Sequence, residues 1–487
     1  MFAQVGRLAR CAGLDDGALL QTLDRHAMAL SNRERVILEA VVEIAGSAAN
    51  RSGDAPGLAT DLVELACAVI ADPAVGALRD GGTKIGTPLR RVLSAKTVHT
   101  LRELGLYEDA EGVQPVWPHA GMLILNPVLG CSYGCAYCFR AQEQHESVDW
   151  FLAGRPTQVV DEEEIIERLA RHPAFVPGGT QLGLHTATTE PFLPQVREST
   201  FRLLELLEER AWGNDVMIIT KYFLREQDIA RLASFTAFQI LLFLTHNAAP
   251  AEMETMSAAP GFTEKKRRSA ELLAGHPRLA AAHYYRPIVP GWNDSDEQIA
   301  DALTFGEPLG VTVIGGLKEV PNLAEISRKR GLSLPVVEPD SDDEKHFPPE
   351  LVDRIVGIHA RLGLTSTLVG DQSCGLTTML TRLKGSAVPN VEATRMYDAA
   401  TGRRPKCMGL CPPEQLSACG RPPVPDRESV ESSLTRLGIS AHFRITGDGI
   451  YLRSESRPEK WRTESLAAQL RFAVFWEPGE KRAAESS

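Results

Sequence analysis

Between about residues 116 and 320, short apolar runs alternate with amphipathic segments. Short apolar runs bounded by polar or glycine positions are typical of buried strands, whereas apolar residues at three- and four-residue steps indicate helices. Six strand–helix units in succession predict an α/β fold, with a parallel sheet covered by helices. The predicted strands are Met122–Asn126, Gln181–His185, Val216–Thr220, Phe238–Leu244, Ala281–Ile288 and Val311–Ile314. The predicted helices between them are Glu162–Ala170, Glu198–Ala211, Gln227–Ser234, Glu264–Ala274 and Asp296–Leu309.

The pattern differs on either side of this region, so three domains are expected in the 487 residues. Residues 1–115 carry only helical periodicity, which predicts an amino-terminal helical domain before the region 116–320. Residues 321–487 begin with an acidic loop and predict a small α+β region. Its predicted elements are a helix at Pro349–Leu362, a strand at Ser366–Val369, two short strands around the Gly-Asp-Gly turn at 447–449 and a closing helix at Thr463–Phe475.

Three cysteines follow the first predicted strand, in the run Cys131-Ser-Tyr-Gly-Cys135-Ala-Tyr-Cys138. Ligands of parallel α/β folds bind beyond the carboxyl ends of the strands, so the thiols stand where a site is expected. Three thiolates on one loop suit a four-iron four-sulfur cube and leave the fourth iron open to a small chelating molecule. A structural zinc is the alternative, although zinc prefers four ligands and the nearest fourth candidate is His145.

This Cys-x3-Cys-x2-Cys loop resembles the one that defines the radical S-adenosylmethionine (radical SAM) superfamily. The resemblance implies that Cys131, Cys135 and Cys138 hold a 4Fe-4S cluster whose open iron binds the amino and carboxylate groups of SAM. It also implies a partial, six-unit, TIM-like barrel that is open on one side. In that family the aromatic residue before the third cysteine, here Tyr137, lies near the adenine of SAM.

Two further stretches are similar to motifs of the same family. Thr188-Thr189-Glu190-Pro follows the second predicted strand and is similar to the family's Gly-Gly-Glu-Pro, whose backbone and carboxylate bind the ammonium of SAM. Threonines replace both glycines in this chain. The fifth predicted strand carries Arg286-Pro-Ile-Val-Pro-Gly-Trp-Asn-Asp, which is very similar to the family's Arg-Pro-x-x-Pro-Gly-x-Asn-Asp run. Arg286 is expected to pair with the carboxylate of SAM in a bidentate fork.

Other polar residues at the predicted strand ends have two interpretations each. Lys221, after the third strand, either reaches a carboxylate or is solvated. Asn247, after the fourth, is placed to meet the ribose of SAM or the substrate. Gly315-Gly316, at the end of the sixth, either makes room for a ligand or forms a turn.

The histidines and the Asn-Asp pair near these strand ends favour structural roles. His185, His246 and His283 are each more often buried structural residues than catalysts. Asn293 and Asp294 are expected to start or cap the helix that follows them.

Four more cysteines occur in the carboxy-terminal region: Cys374, Cys407, Cys411 and Cys419. Four thiols in an intracellular protein indicate a second metal site. They resemble the auxiliary iron–sulfur sites of SPASM and twitch domains, although those domains contain more cysteines and Cys-x2-Cys pairs. A structural zinc and unligated thiols remain open, and in the last case Cys374 is a candidate hydrogen-atom donor.

The amino-acid composition of the chain argues against several classes of function and location. The net charge is −11, without a lysine- or arginine-rich block, which argues against non-specific nucleic-acid binding. The amino terminus lacks the apolar core of a signal peptide, and no apolar stretch is long enough to span a bilayer. Nine cysteines, three of them clustered, do not resemble a secreted disulfide scaffold, so a cytoplasmic location is expected.

The resemblance therefore implies an enzyme that cleaves SAM reductively to a 5′-deoxyadenosyl radical, which takes a hydrogen atom from a substrate. A low-potential one-electron reductant such as flavodoxin or ferredoxin is the implied partner. A small metabolite or a peptide is the expected substrate. The alternative is a nucleic-acid enzyme that resembles DNA photoproduct lyases or tRNA-modifying members, and an iron–sulfur carrier is a remote third.

Overall fold

The computed structural model describes residues 115–138 except 134, 156–250 except 159 and 187, 253–254, 259–318, 345–346, 348–385 and 423–478, with isolated positions at 388, 411, 413, 415 and 416. The predicted amino-terminal helices lie outside these residues, and so do Cys407 and Cys419. Apart from 157–161, the described residues belong to one unit of the chain. The domain boundaries near residues 115 and 320 stay predictions.

Strands and helices alternate along most of the described residues. In chain order, the strands are β1 (Val116–His119), β2 (Met122–Leu125), β3 (Val128–Leu129), β4 (Thr157–Gln158), β5 (Leu182–Leu184), β6 (Val216–Thr220), β7 (Ile240–Thr245), β8 (Leu279–Ile288), β9 (Val311–Lys318), β10 (Lys345–His346), β11 (Thr367–Val369), β12 (His442–Ile445), β13 (Ile450–Ser454) and β14 (Val474–Pro478). The helices are α1 (Glu162–Arg171), α2 (Arg197–Arg210), α3 (Glu226–Ser234), α4 (Phe262–Leu273), α5 (Asp296–Gly306), α6 (Pro349–Arg361), α7 (Gln372–Lys384), α8 (Arg427–Arg436) and α9 (Lys460–Leu470), with a 3-10 turn at Glu307–Leu309.

Nine of the described strands form one mostly parallel sheet. β2, β5, β6, β7, β8, β9 and β11 lie side by side in chain order, and each neighbouring pair is parallel. β1 pairs antiparallel with β2 at one edge, and β10 pairs antiparallel with the end of β9. The α/β fold expected from the sequence is therefore confirmed, whereas closure of the sheet into a partial barrel stays a prediction.

Helices cover both faces of this sheet, which is why its strands are apolar on both faces. Neighbouring residues of one strand belong to different cores. Tyr284 and Val313 pack with α7, whereas Tyr285 and Ile314 pack with α5 and α6. Gly375 allows α7 to lie this close, because a Cβ atom there would stand 2.5 Å from a Val313 methyl group. The sheet is thus the middle layer, and its carboxyl edge carries the loops that contain the candidate site.

The carboxy-terminal region departs from the sequence-based expectation at two points. The strand expected at Ser366–Val369 is present as β11, and it joins the main sheet as a seventh parallel strand. The closing helix expected at Thr463–Phe475 is wrong in its second half. α9 ends at Leu470, Arg471 adopts a left-handed conformation with φ 50°, and β14 pairs parallel with β13. The β-branched and aromatic run Val-Phe-Trp favours a strand there.

None of the described helices is long and apolar enough to cross a membrane.

Candidate active site

The three clustered cysteines lie beyond β3, at the carboxyl edge of the sheet. Cys135 is buried, and Cys131 and Cys138 are half-buried. All three contact one apolar cluster that includes Tyr133 and Tyr137. The sequence therefore predicted correctly that these thiols share one loop at the ends of the strands.

Residues from two other segments hold this thiol loop in place. The backbone N–H of Ala136 donates to the carbonyl oxygen of Met253 at 2.9 Å. Cys135 and Glu254 form an isolated bridge, and Tyr133 Oη donates to the carbonyl oxygen of Lys221 at 3.1 Å. These contacts fix the backbone that carries the thiols.

The buried surroundings of the thiols are compatible with a metal centre. Burial raises the pKa of Cys131 to about 12 and also raises the pKa of Cys135. Such thiols remain thiolates only next to strong positive charge, which metal ions supply. Within the described residues, no three His, Cys, Asp or Glu side chains gather closely enough to hold one metal ion. A cube does not require this, because each thiolate binds a different iron.

Glu190 lies buried beside the thiol loop. Its Oε2 accepts from the backbone N–H of Lys221 at 2.7 Å, and its Oε1 accepts from the hydroxyl of Thr220 and from the N–H of Phe192. Burial raises the pKa of Glu190, and these hydrogen bonds lower it. The charge of Glu190 in turn raises the pKa of Cys131.

The two threonines before Glu190 are also buried or partly buried. Thr188 Oγ1 donates to Asn126 Oδ1 at 3.2 Å. Thr189 Oγ1 is buried and has no hydrogen-bond partner among the described residues. An unpaired buried hydroxyl costs free energy, so a ligand with a polar group would stabilise it.

Lys221 forms the centre of a buried network. Its Nζ donates to Tyr137 Oη at 2.6 Å and to Glu254 Oε1 at 2.8 Å. Asn247 Nδ2 donates to the same Tyr137 oxygen at 3.0 Å. The Lys221 ammonium therefore pairs with a carboxylate of the protein, and a role towards a bound ligand stays a prediction.

Arg286 lies two residues before the end of β8, and its side chain is half-buried. Its Nη1 donates to Tyr284 Oη at 3.0 Å. A Cβ atom on Gly315 would stand 3.1 Å from Arg286 Cδ, so this glycine makes room for the arginine. Gly315 and Gly316 lie within β9 and form no turn. The pairing of Arg286 with a ligand carboxylate stays a prediction.

His246 and His283 have the structural surroundings that their sequence context favoured. His246 Nε2 donates to Asp301 at 2.8 Å, and His283 Nε2 donates to the carbonyl oxygen of His246 at 2.6 Å. Both rings pack against Phe305 of α5, and burial lowers their pKa values to about 4 and about 3 respectively. His185 is fully buried and makes no side-chain hydrogen bond to a described residue.

Asn293 and Asp294 stabilise the loop before α5. Asn293 Oδ1 accepts from the N–H of Val289 at 2.7 Å, and its Nδ2 donates to the carbonyl oxygen of Asn247 at 2.7 Å. Asp294 Oδ1 accepts from the N–H of Gly291 at 2.8 Å. Ser295, not Asn293 or Asp294, caps the helix, because its hydroxyl accepts from the N–H of Gln298.

Two of the four carboxy-terminal cysteines are described, and they lie against the same core. Cys374 is in the first turn of α7, and both Cys374 and Cys411 pack against the cluster between α7 and the sheet. Cys407 and Cys419 lie outside the described residues. A second metal site therefore stays a prediction.

Sequence reasoning missed two charged residues near the thiols, Glu254 and Lys266. Both are buried, with exposed fractions of 2% and 4%. Lys266 stands in the charged run Glu264-Lys-Lys-Arg-Arg, which resembles a solvated face. Its helical spacing from the buried Phe262 and Leu273 is the signal that marks it as inward-facing. Glu254 lies in a loop and carries no such signal.

A cavity of about 250 Å³ lies between α7 and the strands β2 and β6. The cavity has apolar walls at Ile124, Met217 and Leu376. Asp215 and Lys384 line the end that lies nearer to the amino-terminal end of β6. At the other end it reaches Thr186, whose buried hydroxyl has no hydrogen-bond partner among the described residues. Neither Glu190 nor any of the three clustered cysteines lines this cavity.

Comparisons with known proteins leave the family open. No protein-family model matches the chain, and no curated protein matches it at a significant level. Among solved structures, SuiB from Streptococcus suis is similar over 77% of this chain and 72% of SuiB, at 14% identity and a TM-score of 0.33. Likeness at that level does not identify a family, so the function rests on the residues of the site.

Proposed function

We propose that the chain is a radical SAM enzyme. The observation that carries this proposal is the position of Lys221 between the two motifs. Its backbone N–H binds Glu190, and its carbonyl oxygen and Nζ bind Tyr133 and Tyr137 of the thiol loop. Two motifs that are far apart in the sequence and belong to the same resemblance thus meet at one site, at the carboxyl edge of a parallel sheet.

Each group of residues then has a distinct binding role. Cys131, Cys135 and Cys138 hold three irons of a 4Fe-4S cluster, since soft thiolates are the ligands that such clusters use. Glu190 and the Thr188-Thr189 backbone receive the ammonium of SAM, because a buried carboxylate favours a cation.

The remaining polar residues position the rest of SAM. Tyr137 and Asn247 would contact the adenine and ribose of SAM, and the Lys221 ammonium keeps the Tyr137 ring in place. Arg286 pairs with the carboxylate of SAM. When bound, the cluster and SAM supply an electron and a 5′-deoxyadenosyl radical that takes a hydrogen atom from the substrate. The burial of the site excludes water, which protects such chemistry from side reactions.

A small metabolite or a peptide is the substrate class that we favour. The net charge of −11 disfavours nucleic acid, since phosphate binding requires clustered cations. The electron comes from a low-potential protein such as flavodoxin or ferredoxin.

Replacing Cys131, Cys135 and Cys138 together with Ala tests the proposal. The variant should lose the visible absorbance of thiolate-bound iron, and with dithionite it should no longer produce 5′-deoxyadenosine from SAM. Ser132→Ala, in the same loop but without a thiol, should keep both properties. Wild-type production of 5′-deoxyadenosine by the triple variant would refute the proposed function.

A further inference from the structure

Lys266 is a buried cation that the proposed binding roles do not use. It lies on α4 and is 4% exposed, on the same helix face as the buried Phe262 and Leu273. The Phe262 ring packs edge-on against Tyr133 of the thiol loop, with ring centroids 6.1 Å apart. Residues four positions apart lie on the same side of a helix, so Lys266 faces the same part of the protein as the thiol loop.

The electrostatic surroundings of Lys266 agree with this placement. Burial lowers its pKa to about 8, and the charges of Glu254, Glu190 and Cys135 oppose that decrease. Lys221 is in the field of all three thiols, Cys131, Cys135 and Cys138. Two lysines and two carboxylates are therefore in the electrostatic surroundings of the thiol loop.

We infer that Lys266 sets the reduction potential of the cluster held by Cys131, Cys135 and Cys138, by supplying buried positive charge that favours its reduced form. The inference rests on the proposed function, because it requires the cluster. In this role Lys266 acts on the cluster through its charge and does not contact the substrate.

The physical reason is the charge balance of reduction. One electron from a low-potential donor, such as dithionite or reduced flavodoxin, adds one negative charge at the thiolate site and moves no proton. A buried cation stabilises that charge because the protein interior screens it weakly. The reduction potential of iron–sulfur clusters responds to such local charge. An exposed cation contributes little, because water and salt screen it.

A purely structural role makes a different prediction. If Lys266 only compensates the charge of Glu254, its loss lowers the stability of the protein and leaves the potential of the cluster unchanged. Lys265 provides a matched control, because it is the next residue on α4, carries the same charge and is exposed.

The test is a dithionite titration of the holoprotein, followed by electron paramagnetic resonance. In Lys266→Met, the ratio of reduced to oxidised cluster at a fixed potential should be about tenfold lower than in the wild type, which corresponds to about 59 mV for a one-electron couple. Lys265→Met and the charge-preserving Lys266→Arg should retain the wild-type ratio. Equal ratios in Lys266→Met and Lys265→Met would overturn the inference.

A second variant covers the case in which Lys266→Met does not fold or load iron. Glu254→Gln removes a buried negative charge from the same group, so it should raise the reduced fraction at a fixed potential. An unchanged ratio would again overturn the inference. Wild-type protein that holds no cluster would overturn the proposed function itself, whereas a cluster whose potential is independent of Lys266 overturns only this inference.

Discussion

At the scale of single residues, Glu190 is the most constrained group of the candidate site. It is 6% exposed and accepts hydrogen bonds from Thr220, Lys221 and Phe192. These donors favour its charged form and oppose the effect of burial on its pKa. A buried carboxylate held in this way is preorganised to receive a cation.

Glu190→Gln tests that role. The substitution keeps the shape of the side chain and removes its charge, so SAM binding should weaken by about 2–5 kcal/mol, as expected when one partner of a buried charge pair is lost. Calorimetry on the cluster-loaded protein measures the change. Glu209→Gln, at an exposed position of α2, should bind SAM as the wild type does. Unchanged affinity in Glu190→Gln would leave Glu190 a structural residue.

Residues with a local motif were predictable, and residues defined by tertiary contacts were not. The thiol loop and Glu190 could be found because each lies in a motif that is defined by the order and spacing of neighbouring residues. The ion pair between Lys221 and Glu254 joins positions 33 residues apart, and no local pattern encodes it. Lys266 was missed because a run of charges predicts a solvated face, whereas one member of the run lies on the buried face of α4.

At the scale of elements, the alternation of strands and helices was predictable because the spacing of apolar residues, which differs between strands and helices, is visible in the sequence itself. The helix α7 was not predicted. Its sequence begins Gln-Ser-Cys-Gly-Leu-Thr-Thr, which has low helix propensity. Asp371 caps it by accepting from the N–H of Ser373, and burial of Leu376 and Met379 against the sheet stabilises it. Packing decides this element, so its sequence alone does not predict it.

Gly375→Ala tests the close packing of α7 on the sheet. Ala favours a helix by up to about 1 kcal/mol, but its Cβ would stand 2.5 Å from Val313 and 2.9 Å from Phe243. Overpacking of this kind costs about 1–3 kcal/mol, so the variant should unfold at lower urea concentration than the wild type.

Gly357→Ala is the matched control in α6. There the nearest atom to a new Cβ is the end of the Arg361 side chain at 3.7 Å, so the substitution should stabilise the protein slightly. Urea unfolding of both variants, followed by circular dichroism, measures the difference. An equal gain of stability at both positions would mean that α7 does not lie against Val313 and Phe243.

At the scale of the whole molecule, the chain carries two groups of cysteines in different surroundings. The first lies on a loop beside buried lysines and carboxylates. In the second, Cys374 and Cys411 lie against an apolar core on the face of the sheet that α7 covers. A closed iron–sulfur site requires four ligands around one centre, so Cys407 and Cys419 would have to join these two. An auxiliary cluster would accept a second electron and favour a net oxidation of the substrate.

Metal counting on the variant with Ala at Cys131, Cys135 and Cys138 isolates the second group. About four irons per chain should remain if Cys374, Cys407, Cys411 and Cys419 hold an auxiliary cube, and replacing these four with Ala as well should remove them. About one zinc without iron would identify a structural site instead. If no metal remains, the thiols are free, and Cys374→Ala in the otherwise wild-type enzyme should still cleave SAM but fail to complete turnover of the substrate. Iron that survives replacement of all four cysteines would exclude them as its ligands.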